Sequence, residues 1–139
     1  MDSQEKRLNQ FIKFKADYII DQLKNKGLIS LYLGGTILTE DRQPHSDIDF
    51  FGIVSSNFNF SHEKKIQMDF LTLPPGTIEL RKVQFTAIPI SALEGGEQKG
   101  AIKWSKPERF IKKMLFFKHL WGKKFNPMKD FPIKPMELK

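Results

Sequence analysis

The chain contains no cysteine. This absence excludes a disulfide framework, a zinc site built on thiolates and a thiol nucleophile. The chain also lacks an uninterrupted apolar run of membrane-spanning length, and its first residues lack the basic-then-apolar order of a secretory signal. We therefore expect a soluble cytoplasmic protein that makes no use of a membrane.

The residues that are present suffice for one domain with a proper core. The chain has 139 residues, of which 40% are hydrophobic, and thirteen of them are Phe. From this length we expect no second catalytic or substrate domain. We predict a single domain over residues 1–125 and an extended basic tail over residues 126–139, a segment interrupted by three prolines.

The positive charge is concentrated near the C-terminus. Residues 1–98 hold eleven positive and thirteen negative side chains, whereas residues 99–139 hold twelve positive and three negative ones. Two interpretations stay open. The excess is either a solvated helix and tail, or a surface that attracts nucleotide phosphates, nucleic acid or an acidic partner.

The spacing of the apolar residues predicts the order of helices and strands. It indicates amphipathic helices over 4–26 and 107–121, strands over 28–33, 46–55 and 77–90, and a segment over 64–73 that fits helix or strand. We expect an α/β (α+β) fold in which both helices pack on one face of a small mixed sheet.

Two motifs lie close together between residues 31 and 54. Gly34 and Gly35 end the first apolar strand, and their backbone can take a positive φ and approach an anion together with the Thr36 hydroxyl. Asp47 and Asp49 open the next strand, and side chains two apart on a strand point to the same face. Two converging carboxylates on an otherwise apolar strand suit Mg²⁺ or Mn²⁺.

Each motif alone is common, because a Gly-Gly pair is usually a turn and an Asp-x-Asp pair is often a solvated strand face. Their combination is more specific. Leu33-Gly34-Gly35, eleven further residues and Asp47-Ile48-Asp49-Phe50 resemble the signature of the nucleotidyltransferase superfamily that includes DNA polymerase β, in particular its minimal members. The resemblance implies the nucleotidyltransferase fold.

The resemblance also implies a reaction and a site. The expected reaction transfers a nucleoside monophosphate, with AMP as the first choice, from a nucleoside triphosphate to a hydroxyl acceptor and releases pyrophosphate. Two Mg²⁺ or Mn²⁺ ions would be held by Asp47, Asp49 and a third carboxylate. The phosphate-binding residues would be Gly34, Gly35, Thr36 and Ser46.

The third carboxylate has two candidates. Glu79 lies between two apolar residues of a predicted strand, which is the context that the resemblance requires. Asp69 is the competitor, and it would take the role if residues 64–73 formed the strand next to the acidic one. We favour Glu79 and assign it the third metal ligand and a catalytic role.

Two other functions compete with transfer. The chain could be a non-catalytic nucleotidyltransferase-like module that acts as a regulatory or antitoxin partner of another protein, or a basic nucleic-acid-binding protein that uses residues 99–139. The acceptor is open among protein, an RNA end, an antibiotic and a small metabolite. A protein partner or a second copy of the chain is a further possible source of the acceptor surface.

Overall fold

The computed structural model describes residues 3–35, 47–72, 83–93 and 107–131. The predictions that fall on Thr36, Ser46 and Glu79 lie outside these ranges. The helices and strands are α1 (Ser3–Leu23), β1 (Leu28–Gly34), β2 (Ile48–Val54), α2 (Ser61–Thr72), β3 (Val83–Pro89), α3 (Ile90–Leu93), α4 (Pro107–Met114), β4 (Lys118–Gly122) and α5 (Pro127–Asp130).

The four strands form one mixed sheet in the order β3-β2-β1-β4. β1 pairs antiparallel with both β2 and β4, whereas β2 and β3 run parallel. This arrangement confirms the predicted fold class. In the part of the chain that the structure describes, no helix has the length and apolar character needed to cross a membrane.

Both faces of the sheet carry a core. On one face Phe50, Val54 and Phe85 pack with the buried side of α1 and with Ile66 of α2. On the other face the core consists of Tyr32, Ile53, Ile88, Leu93, Ile111, Met114, Phe125 and Phe131. We call these the α1/α2 face and the α4/α5 face. The structure therefore separates the two helices that the sequence analysis expected together, because α4 lies on the face opposite α1.

Side chains of α2 accept hydrogen bonds from the edge of β3 that faces away from β2. Glu63 accepts a hydrogen bond from the Ala87 N–H at 2.6 Å, and Gln67 accepts one from the Phe85 N–H at 3.2 Å. The two acceptors are four residues apart and so lie on one side of the helix. They satisfy backbone donors that would otherwise be free to pair with another chain.

The predicted helix over 107–121 ends earlier than expected. α4 stops at Met114, and residues 118–122 form β4, which pairs with β1. The apolar residues of this segment fit a helical period, but Leu120 and Trp121 pack against the α1/α2 face as part of an edge strand. Pairing with β1 outweighs the local pattern, which is a common outcome for short apolar runs.

The first residues of the predicted tail are not extended. Residues 127–130 form the short helix α5, and Phe131 is only 2% exposed. Its ring lies 5.1 Å from that of Phe125, which is also buried. The apolar side chains around the prolines therefore return the chain to the core, and residues 132–139 lie outside the described ranges.

Candidate functional site

The glycine turn and the acidic strand meet at one end of the sheet. In the antiparallel pairing of β1 with β2, Gly34 lies opposite Asp49. Paired residues of neighbouring strands present their side chains on the same face. The two motifs that the sequence places eleven residues apart are thus direct neighbours.

Gly35 provides the closest contact between the motifs. Its φ is 87°, in the left-handed region that favours glycine. A Cβ on Gly35 would lie only 2.8 Å from Asp49 Oδ2. The carboxylate therefore lies against the turn itself, in space that any other residue at position 35 would occupy.

Gly34 is required for a different reason. Of the two adjacent glycines only Gly35 has a positive φ. A Cβ on Gly34 would lie 2.6 Å from the Phe117 ring and 2.9 Å from the Phe51 ring. These two rings stack with their centroids 4.9 Å apart and their planes 6° from parallel. Because Gly34 has no side chain, the two rings can stack over it on the α4/α5 face, next to Asp49.

The two aspartates lie at the start of β2. Asp47 directly precedes β2 and is exposed, while Asp49 is half-buried within the strand. Ile48 between them is fully buried in the α1/α2 face, so Asp49 lies on the opposite side with Phe51 and Ile53. Two hard oxygen donors fit Mg²⁺ or Mn²⁺. Within the described ranges no three acidic or histidine side chains come together as a metal site.

Strand β3 carries an amide side chain, that of Gln84, directly opposite Asp49. In the parallel pairing of β2 with β3, Asp49 lies opposite Gln84. The next residue, Phe85, is buried in the α1/α2 face, so Gln84 is on the face of Asp49. Gln84 was not among the site residues predicted from the sequence. The sequence feature that could have identified it is a single polar residue between Val83 and Phe85, at the start of a largely apolar strand.

Asp69 does not take the role of the competing third acid. Residues 61–72 form helix α2 and not a strand next to β2, which was the condition for Asp69. Its carboxylate accepts a hydrogen bond from the Tyr18 hydroxyl of α1. Burial, together with this hydrogen bond and the negative charge of Asp69, raises the pKa of Tyr18 to about 12. Asp69 thus joins the two helices of the α1/α2 face, on the side of the sheet away from Asp49.

Sequence comparison identifies no relative: no protein-family model matches the chain, and no curated protein matches it. Solved structures do match. One is spectinomycin adenyltransferase AAD(9) from Enterococcus faecialis with ATP and spectinomycin, with a TM-score of 0.57 and 17% identity over 91% of this chain. The chain spans 61% of the length of that enzyme.

A second match is a mutant of the toxin–antitoxin pair MntA-HpeT. It has a TM-score of 0.48 and 14% identity, and the alignment covers 82% of this chain and 78% of that one. The likeness to solved structures shows that this chain has the nucleotidyltransferase fold.

Proposed function

We propose that the protein is a metal-dependent nucleotidyltransferase that transfers a nucleoside monophosphate, AMP in the first instance, from a nucleoside triphosphate to a hydroxyl acceptor. The oxygen of the acceptor forms a bond to the α-phosphorus, and the bond from the α-phosphorus to the bridging oxygen breaks. Pyrophosphate leaves with that oxygen. The fold is shared with an adenyltransferase whose structure contains ATP, and this supports the choice of adenine.

The roles follow from the chemistry of the residues. Asp47 and Asp49 would hold Mg²⁺ or Mn²⁺, which supplies positive charge against the triphosphate. The turn at Gly34 and Gly35, with Thr36 and Ser46 from outside the described ranges, would bind the departing phosphates through N–H and hydroxyl groups. Glu79, also outside these ranges, is proposed as the third carboxylate and as the acceptor of the hydroxyl proton.

The observation that carries the proposal is the contact between Gly35 and Asp49. The positive φ of Gly35 and the 2.8 Å between its missing Cβ and Asp49 Oδ2 leave a glycine turn directly beside a carboxylate. A phosphate bound at the turn would lie within reach of an ion on that carboxylate. This juxtaposition is what a metal–triphosphate complex needs.

The proposal is tested by calorimetric titration of ATP in the presence of Mg²⁺ or Mn²⁺. We expect metal-dependent binding to the wild type and a loss of at least about tenfold in affinity in Asp49→Asn, because the isosteric amide removes a charged ligand. Asp17→Asn is the matched control, since it makes the same change on the exposed surface of α1, where the Asp17 side chain is 59% exposed. Absence of binding at millimolar ATP with either ion would contradict the proposal.

The position of Gln84 favours a second candidate, the non-catalytic nucleotidyltransferase-like module that acts as a regulatory or antitoxin partner of another protein. An amide beside Asp49 cannot accept the proton of an attacking hydroxyl. Release of pyrophosphate from ATP that disappears in Glu79→Gln would support transfer. Binding of ATP without pyrophosphate release, unchanged in Glu79→Gln, would support the module.

A further inference from the structure

Gln84 of β3 is the residue paired with Asp49 of β2. We infer that Gln84 is a part of the metal–nucleotide site, and that its neutral amide makes binding of the divalent ion depend on a bound triphosphate. The inference rests on the proposed function. It goes further, because it assigns to the site a residue that sets ion affinity and an order of binding.

The strand register places Gln84 in the site. Parallel partners lie roughly 4.8 Å apart across the sheet and present their side chains on one face. Asp49 and Gln84 are such partners, and the pairing continues without a shift to Val54 and Pro89. The buried ring of Phe85 fixes the orientation, because a slip of one residue would bring that ring out of the α1/α2 face.

The charge of the site then sets the order of binding. Among the described residues the carboxylates of the site are those of Asp47 and Asp49, and the neutral amide beside Asp49 adds no negative charge to them. The proposed third carboxylate, Glu79, lies outside these residues. Mg²⁺ is commonly bound by one or two carboxylates together with substrate phosphates. With an amide instead of a carboxylate at position 84, the site binds the free ion more weakly, and the triphosphate supplies the remaining oxygen ligands and charge.

The first test measures Mn²⁺ binding without nucleotide by electron paramagnetic resonance of the free ion. The wild type is expected to bind weakly, and Gln84→Glu roughly tenfold or more tightly, the size expected for one added charge about 5 Å from a divalent ion in a well-solvated site. Gln67→Glu is the matched control, since it adds the same charge at the outer edge of β3, where Gln67 accepts a hydrogen bond from Phe85. Equal affinity in the two variants would overturn the inference.

The second test moves the carboxylate from position 49 to position 84. It remains informative even if the single variant Gln84→Glu is unstable. Asp49→Asn is expected to lose binding of the ATP–Mn²⁺ complex. Asp49→Asn combined with Gln84→Glu restores the charge of the site on the adjacent strand and should recover affinity to within several-fold of the wild type. Failure of the second substitution to rescue the first, in a folded double variant, would show that position 84 lies outside the site.

The outcomes separate this inference from the proposed function. If the wild type binds ATP with metal but Gln84→Glu leaves ion binding unchanged and the swap gives no rescue, only the role of Gln84 fails. If the wild type binds no nucleotide while Gln84→Glu binds Mn²⁺ more tightly than Gln67→Glu, position 84 is beside the aspartates but the nucleotide function fails.

Discussion

The two faces of the sheet differ in what their residues must do. The α1/α2 face is an apolar core, and its polar contacts join α1 to α2, as between Tyr18 and Asp69, or α2 to the backbone of β3, as between Glu63 and Ala87. The α4/α5 face also has a buried core, but at one end its strands carry Asp49 and Gln84 in place of apolar side chains. Successive side chains of strand β2 point alternately to the two faces.

This difference separates stability from function within a single strand. A substitution on the α1/α2 side of β2 is expected to change the free energy of unfolding alone. A substitution on the other side, near Gly34 and Asp49, is expected to change ligand binding as well, because the aromatic stack and the carboxylate are in contact with the same turn.

The largest effect is expected at Phe50, which is fully buried on the α1/α2 face. Phe50→Ala should lower the free energy of unfolding by about 3–5 kcal/mol, because it leaves a large cavity. Phe51→Ala, at the half-buried neighbour that stacks on Phe117, should cost less stability and weaken ATP binding. Urea unfolding and calorimetry on both variants check this, and an equal loss of stability would remove the contrast between the faces.

The next effect is expected at Gly34. Gly34→Ala should lower the free energy of unfolding by about 1–3 kcal/mol, because the new methyl group would press against the Phe117 ring. In a Phe117→Ala background part of this cost should disappear, and the remainder is expected from the Phe51 ring, which lies 2.9 Å from the same Cβ position. A double-mutant cycle measured by urea unfolding gives the coupling, and additive losses would mean that the ring is not what excludes a side chain.

Gly35 is expected to affect stability less and binding more. Gly35→Ala should cost about 1–2 kcal/mol, because its φ of 87° is unfavourable for residues with a Cβ. It should also weaken ATP binding, because the Cβ would displace Asp49 Oδ2. Gly35→Asn separates the two causes, since asparagine tolerates a positive φ but still carries the Cβ. Normal ATP affinity in that variant would contradict a role for the contact with Asp49.

The smallest effect is expected at Glu63, which is away from the site. Burial raises the pKa of its carboxyl. The folded state therefore holds this proton more tightly, and stability falls as the pH rises from the ordinary value of 4.5 through the raised pKa. Glu63→Gln should flatten this fall and change the free energy of unfolding at pH 7 by no more than about 1 kcal/mol, because the amide oxygen still accepts from Ala87.

Urea unfolding of the wild type and Glu63→Gln between pH 4 and pH 8 checks the effect. Glu63→Ala is the informative comparison, since it leaves the buried Ala87 N–H without its acceptor and should cost about 1–3 kcal/mol. A stability of the wild type that does not depend on pH in this range would show that Glu63 does not titrate differently in the folded state.

Much of the fold was predictable from local patterns. The helix over 4–26 and the strands over 28–33 and 46–55 agree with α1, β1 and β2 within a few residues. Gly35 beside Asp49 was also predictable, because two motifs on consecutive strands are brought together by antiparallel pairing. Local spacing carries such information when a helix or strand is long and regular.

Other features depended on contacts between distant residues. The apolar residues of β4 fit a helix until pairing with β1 is known. Phe131 was assigned to a tail, although its side chain is buried and its ring contacts that of Phe125. Asp69 had the same local setting as a strand acid, and only the contact with Tyr18 shows which side of the sheet it occupies.

The sequence by itself determined that the candidate site contains a glycine turn and paired carboxylates, because both motifs lie within one short stretch of the chain, residues 34–49. Only the tertiary structure decided which residue lies beside them. Gln84 is 35 positions from Asp49 along the chain, and its place follows from the register of two parallel strands. That register is fixed by burial of Phe50 and Phe85 in the core opposite the site, and burial is a property of the whole fold.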